Sequence, residues 1–135
     1  MAQASASVRI PVSAEKVWAL TGGFLSLNDW LPFIKTSESQ EGGRVRHLIT
    51  DDGAEITERL ETYDNKARTY SYSIDNGPFP ISSYLATLKI KEDGANGALV
   101  EWSGVFTADG VSDAEIEALF KGIYEGGLEA LKANF

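Results

Sequence analysis

Among the side chains of this 135-residue sequence, Glu58 has the setting that most invites a chemical reading. It lies in the alternating run Ala54–Tyr63, where Ile56, Glu58, Leu60 and Thr62 share one face and Thr57, Arg59 and Glu61 share the other. A carboxylate on an otherwise apolar face is costly unless it is paired, hydrogen-bonded or protonated. Two readings stand: a carboxylate near a wet rim or salt-bridged to a neighbour, or a polar group lining one end of a cavity. His47, the sole histidine, shares its parity with Val45 and Ile49, which points it inward; a hydrogen-bonded packing role is expected of it before catalysis. One histidine and no cysteine cannot furnish a zinc tetrad, and the serines form no nucleophile elbow. Neither a metal nor a cofactor is expected.

The elements that must carry these groups are legible from period and punctuation. A first strand runs from Ala4 to Ile10 and ends at Pro11. Ser13 then caps a short helix bearing Val17, Trp18 and Leu20, which Gly22 and Gly23 terminate. A second short helical stretch, Phe24–Leu31, stops at Pro32. Six strands follow: Phe33–Gln40, Arg44–Thr50, Ala54–Tyr63, Ala67–Asp75, Tyr84–Lys91 and Ala98–Ala108. Tight turns such as Asp51-Asp52-Gly53 join them, so the sheet is an antiparallel meander. Parity points Tyr70, Tyr72, Ile74, Tyr84, Ala86, Leu88 and Ile90 inward. The last strand is apolar on both faces, which leaves its facing open.

Ser112 and Glu115 form a capping box for a helix reaching about Asn134. Its apolar stripe is Ile116, Leu119, Phe120, Ile123, Leu128 and Leu131. Gly126 and Gly127 interrupt it, each at about 1 kcal/mol against alanine. They mark a kink, a close approach to the sheet, or room left for a ligand. The expected architecture is α+β: one domain over residues 1–135, with a sheet on a long helix.

Composition bounds the function. Twenty acidic against twelve basic side chains give a net charge of −8, which repels phosphate backbones and anionic headgroups, so no nucleic acid and no membrane partner is expected. No apolar run approaches the ~20 residues of a membrane span, and residues 1–7 lack a signal-peptide pattern; a cytoplasmic location is the default expectation. The chain is expected to be a monomer or weak homodimer.

This order of elements resembles the helix-grip, START/Bet v1-like superfamily, and nearest within it the polyketide cyclase/dehydrase-like bacterial branch. Ser13-Ala14-Glu15-Lys16-Val17-Trp18 resembles that superfamily's entry to the first helix, and Trp30-Leu31-Pro32 its signature before the second strand. Glu58-Arg59-Leu60-Glu61 is similar to its E-R-L strand, Val100-Glu101-Trp102 to its last strand, and Gly122-Ile123-Tyr124 with Gly127-Leu128 to its closing helix. The resemblance covers essentially the whole chain and implies an internal cavity. More distant likeness to plant abscisic-acid receptors nominates Lys35, Glu58, Tyr84 and Glu101 as polar ligand contacts. It also nominates Leu119, Ile123 and Gly127 as cavity lining. The receptor gate and latch loops are replaced here by Asp51-Asp52-Gly53 and Phe79-Pro80-Ile81, so a hormone-receptor role is not implied.

Three functions follow for testing. The first is binding of a small amphipathic, aromatic or lipid-like molecule, as a carrier or sensor, with Lys35 and Glu58 orienting its polar end and Tyr72 among the walls. Loops Asp51–Ala54 and Gly77–Ile81 would cover the mouth. The second is a polyketide cyclase or dehydratase working through cavity acid and base groups. The third is a structural or interaction domain whose cavity is filled by its own side chains.

Overall fold

Alternation of apolar and polar residues builds seven strands: β1 (Ala2–Ile10), β2 (Ile34–Gln40), β3 (Val45–Thr50), β4 (Glu55–Asp64), β5 (Thr69–Asn76), β6 (Ile81–Glu92) and β7 (Ala98–Ala108). The structure, a computed structural model, describes all 135 residues. The strands form one antiparallel sheet in the order β1-β7-β6-β5-β4-β3-β2. The first strand therefore returns beside the last, with Ala2 opposite Phe106 and Ile10 opposite Ala98. β1 and β2 are the two sheet edges. Helix α1 (Ala14–Thr21) and a 3-10 segment, Phe24–Asp29, carry the chain from one edge to the other. The second short helical stretch is thus 3-10, and it ends at Asp29.

Helix α2 (Asp113–Lys132) starts as its sequence predicts: the Ser112 side chain accepts from the Glu115 amide at 3.2 Å. It packs on β1 and β7, and its Glu117 carboxylate accepts the Gln3 amide at 2.9 Å. Ile116, Phe120, Tyr124, Leu128 and Leu131 are buried against the sheet. Leu119, which the stripe assigned to the core, is 43% exposed at its rim. No helix is long and apolar enough to cross a membrane.

Most strand facings follow parity. Tyr84, Ala86, Leu88 and Ile90 of β6 are all buried. In β7 the open choice falls to the even positions: Val100, Trp102 and Phe106 are buried and Glu101 lies on the outer face. β3 is the correction. His47 faces the outer side, where its ring nitrogens meet Thr57 Oγ1 at 3.2 Å and Glu55 Oε1 at 3.1 Å. Arg46 and Leu48 take the interior. A second departure is the bulge in β4 between Leu60 and Thr62, which reverses the alternation beyond it. Tyr63 then stacks on Tyr70 and donates to Gly22 O at 2.6 Å, while Thr62 is exposed.

Candidate functional site

The β3–β4 hairpin turns at Asp52, which sets residue 46 directly opposite residue 58. Both side chains leave the same face of the sheet, and both are buried, Arg46 at 1% exposure and Glu58 at 7%. Arg46 donates to Glu58 Oε1 from Nε at 2.8 Å, and its Nη2 lies 2.7 Å from the same oxygen. Nη1 donates to Phe24 O at 2.7 Å and to Tyr70 Oη at 3.4 Å. The guanidinium also lies over the rings of Phe24, at 4.1 Å, and Tyr72, at 4.9 Å. All three Arg46 nitrogens are thereby engaged. Only one of the Glu58 oxygens is: Oε2 makes no hydrogen bond within the protein.

Glu58 is the only charged lining residue of an inner cavity of about 40 Å³. Burial pushes its carboxyl up from the usual range, against the opposing pull of the Arg46 charge. Around it stand phenols. Tyr72 Oη accepts from Trp102 Nε1 at 3.0 Å, and the hydroxyls of Tyr84 and Tyr124 are hydrogen-bonded to each other. Burial holds all three tyrosines well above their ordinary pKa, so they remain neutral donors and acceptors. Gly104 makes this possible, because a Cβ there would collide with the Tyr124 hydroxyl.

Above the cavity lies a groove of about 850 Å³ between α2, the Asp51–Ala54 turn and the loop at Pro78-Phe79. Groove and cavity share a wall of four residues: Phe33, Ile56, Phe79 and Ile123. Ile56 and Glu58 lie two apart on one strand face, so roughly 7 Å separates the groove wall from the carboxylate. Along α2 the groove is bounded by Gly122 and Gly126, where a Cβ would meet nothing within 4 Å. Gly127 is different: a Cβ there would lie 2.7 Å from Trp102 and 2.9 Å from Leu31, so its absence permits close packing. α2 runs through both glycines without a break.

The predicted residues separate into two sets. Glu58, Tyr72 and Tyr84 converge on the inner cavity, Ile123 stands between it and the groove, and Leu119 and Gly127 line the groove. Lys35 and Glu101 stay outside. Burial of Ile34 turns Lys35 to solvent, where it makes no ion pair, and Glu101 pairs with Lys91 at 2.8 Å on the outer face. The buried cation beside Glu58 is Arg46. Sequence parity passed over it because an arginine beside valine reads as a solvent face, yet equal spacing of 46 and 58 from the turn at Asp52 was available to find it. Tyr124 was likewise findable, at four and eight residues after Phe120 and Ile116.

A family model described as polyketide cyclase/dehydrase and lipid transport matches residues 1–135. The chain is similar to the protein XoxI from Bacillus cereus, at 54% identity and a TM-score of 0.97 over 100% of this chain and 96% of that one. It is similarly close to a putative uncharacterized protein from Bacillus thuringiensis, at 52% identity and a TM-score of 0.97 over 99% and 98%. The Zhui aromatase/cyclase from Streptomyces sp. R1128 shares the fold at 17% identity, with a TM-score of 0.79 over 98% and 92%. No curated protein matches.

Proposed function

The chain belongs to the polyketide cyclase/dehydrase and lipid transport family, and we propose that it binds a small amphipathic molecule, with its apolar body in the mouth groove and its polar end directed at Glu58. The observation that carries this reading is the wall shared by groove and cavity, with an unused carboxylate oxygen beyond it. The groove volume falls within the range of small-molecule sites, whereas the inner cavity holds no more than a few waters. The body of the ligand therefore belongs in the groove. With Glu58 ionised against Arg46, Oε2 can only accept, so the matching ligand group is an O–H or N–H donor, and a carbonyl would be met by the tyrosine hydroxyls.

The probe is 2-naphthol, with 2-methoxynaphthalene, which lacks the donor, as its control. Saturating 2-naphthol is expected to raise the melting temperature, by the equivalent of about 2.7 kcal/mol at a hundredfold excess over Kd. The methoxy compound should bind at least about tenfold more weakly, the equivalent of one charge-assisted hydrogen bond. Ile123→Trp, which fills the passage between groove and cavity, should abolish the shift. Undiminished binding by the Ile123→Trp protein would sink the assignment.

One observation favours a catalytic reading of the same site. A carboxyl raised by burial, with a free oxygen beside three undissociated phenols, is arranged to take a proton from a bound carbon or oxygen acid. The phenols would stabilise the enolate oxygen formed, and Glu58 would return the proton. Exchange of α-deuterium from a deuterated aryl methyl ketone measures this, and Glu58→Gln should slow it by about a hundredfold or more. Equal exchange in both proteins leaves binding as the function.

A further inference from the structure

Three spaces meet at one side chain. Phe79 lines the mouth groove, the inner cavity and a third opening of about 170 Å³ at the end of the β5–β6 hairpin, and no other residue lines all three. The third opening exists because β5 and β6 part. Their ladder ends at Ser73 opposite Leu85. Beyond it, Ile74 and Asn76 stay paired with β4, and Ile81 and Ser82 stay paired with β7. Ser83, at a φ of 51°, forms the bulge from which Tyr84 turns inward. The half-buried Phe79 ring closes this junction, lying on Phe120 at 5.0 Å between centroids.

The two rims of the groove are held differently. The Asp51–Ala54 turn is tied by Thr50 N–H to Ala54 O at 2.9 Å, Asp51 N–H to Phe33 O at 2.9 Å and Ala54 N–H to Thr50 Oγ1 at 3.0 Å. On the other rim the amides of Gly77 and Phe79 make no hydrogen bond within the protein, and Pro78 has no N–H to give. Only the Ile81 N–H to Phe79 O bond, at 2.9 Å, holds this segment short of Pro80. Displacing the Phe79 ring thus disturbs no sheet hydrogen bond.

We infer that Phe79 is a plug for the ligand site proposed above, and that the ligand is a planar aromatic whose ring takes the place of the Phe79 ring against Phe120. The inference rests on that reading of the site and narrows it to a ligand class. The place Phe79 occupies is bounded by an aromatic wall: Phe120 lies 5.0 Å from Tyr84 and 4.8 Å from Phe106, centroid to centroid. A flat ring regains the contact that Phe79 gives up, and a thicker saturated skeleton does not. The same path leads on to the unpaired oxygen of Glu58.

Calorimetric titration of 2-naphthol and of decahydro-2-naphthol, its saturated counterpart, against the native protein, Phe79→Ala and Phe79→Leu tests this. A plug that must leave lowers the apparent affinity by the fraction of molecules in which it is out. Phe79→Ala should therefore bind 2-naphthol at least about tenfold tighter than the native protein, with Phe79→Leu between them. All three should prefer the aromatic compound. Binding by Phe79→Ala no tighter than native overturns the plug and leaves the ligand site standing. Equal affinity for the two compounds overturns the ligand class. No binding by any of the three overturns the site and the plug together. Circular dichroism reports folding of each variant, and Phe79→Leu carries the same comparison if Phe79→Ala does not fold.

Discussion

Burying Arg46 beside Glu58 takes two charges out of water, and their attraction has to offset that loss. The pair is consequently unlike the exposed bridge of Arg59 to Glu41 and Asp75, which solvent screens. Arg46→Met alone strands Glu58 and should destabilise the fold by about 3–5 kcal/mol in urea unfolding. Arg46→Met with Glu58→Leu removes both charges and should recover most of that loss, whereas a double variant as unstable as the single one would make the pair a net stabiliser. The pH dependence has a definite sign. Because the Glu58 carboxyl is raised in the folded state, that state binds the extra proton. Its stability contribution is complete below the ordinary carboxylate range and is lost as pH rises through the raised value. Relative to Glu58→Gln, the native protein should therefore lose melting temperature between pH 4 and pH 8. A relative gain over that window would mean that the Arg46 charge outweighs burial.

At the scale of the element, α2 presents three glycines with two different tasks. Gly122 and Gly126 face open groove, and each lowers helix stability by about 0.5–1 kcal/mol against alanine. Gly122→Ala and Gly126→Ala should each raise stability by about that amount, while 2-naphthol binding weakens as methyl groups enter the groove. Gly127→Ala should do the reverse to the fold. Its methyl would press on Trp102 and Leu31, and about 1–3 kcal/mol of destabilisation is expected from overpacking. Stabilisation by all three substitutions would show that none is constrained by packing. The helix runs unbroken through these glycines because Ile116, Phe120, Tyr124, Leu128 and Leu131 anchor it on either side.

Across the whole molecule, hydrogen bonding is unevenly distributed. β6 and β7 share the longest paired register, while β5 and β6 do not pair with each other beyond Ser73 and Leu85, and Gly77–Pro80 at the tip of their hairpin pair with no strand. Native-state hydrogen exchange should find the Gly77 and Phe79 amides opening with the least free energy and those of Ala86–Ile90 near the global value. Saturating 2-naphthol should slow exchange at the tip above all. Uniform protection across the hairpin would remove the tip as the mobile rim.

The order of elements, the capped helices and the inward faces of β5 and β6 were fixed locally, by strand period, turn residues and capping chemistry, and so could be read from the chain alone. Glu58 could be singled out for the same reason, as one charge on an apolar parity. Its partner could not be settled by parity alone, because a cation on one strand is buried or solvated according to what the next strand sets opposite it; only the register across the turn at Asp52 brings Arg46 to it. Nomination by resemblance carried Lys35 and Glu101 toward the site, and the alternation of Ile34 with Lys35 and of Val100 and Trp102 with Glu101 turned both outward. Bulges decided the rest. One inserted residue in β4 or β6 reverses every facing beyond it, and no composition or periodicity announces that insertion. The meeting of three spaces at Phe79 belongs to tertiary structure alone, since it arises where two strands part and a helix from the far end of the chain supplies the opposing ring.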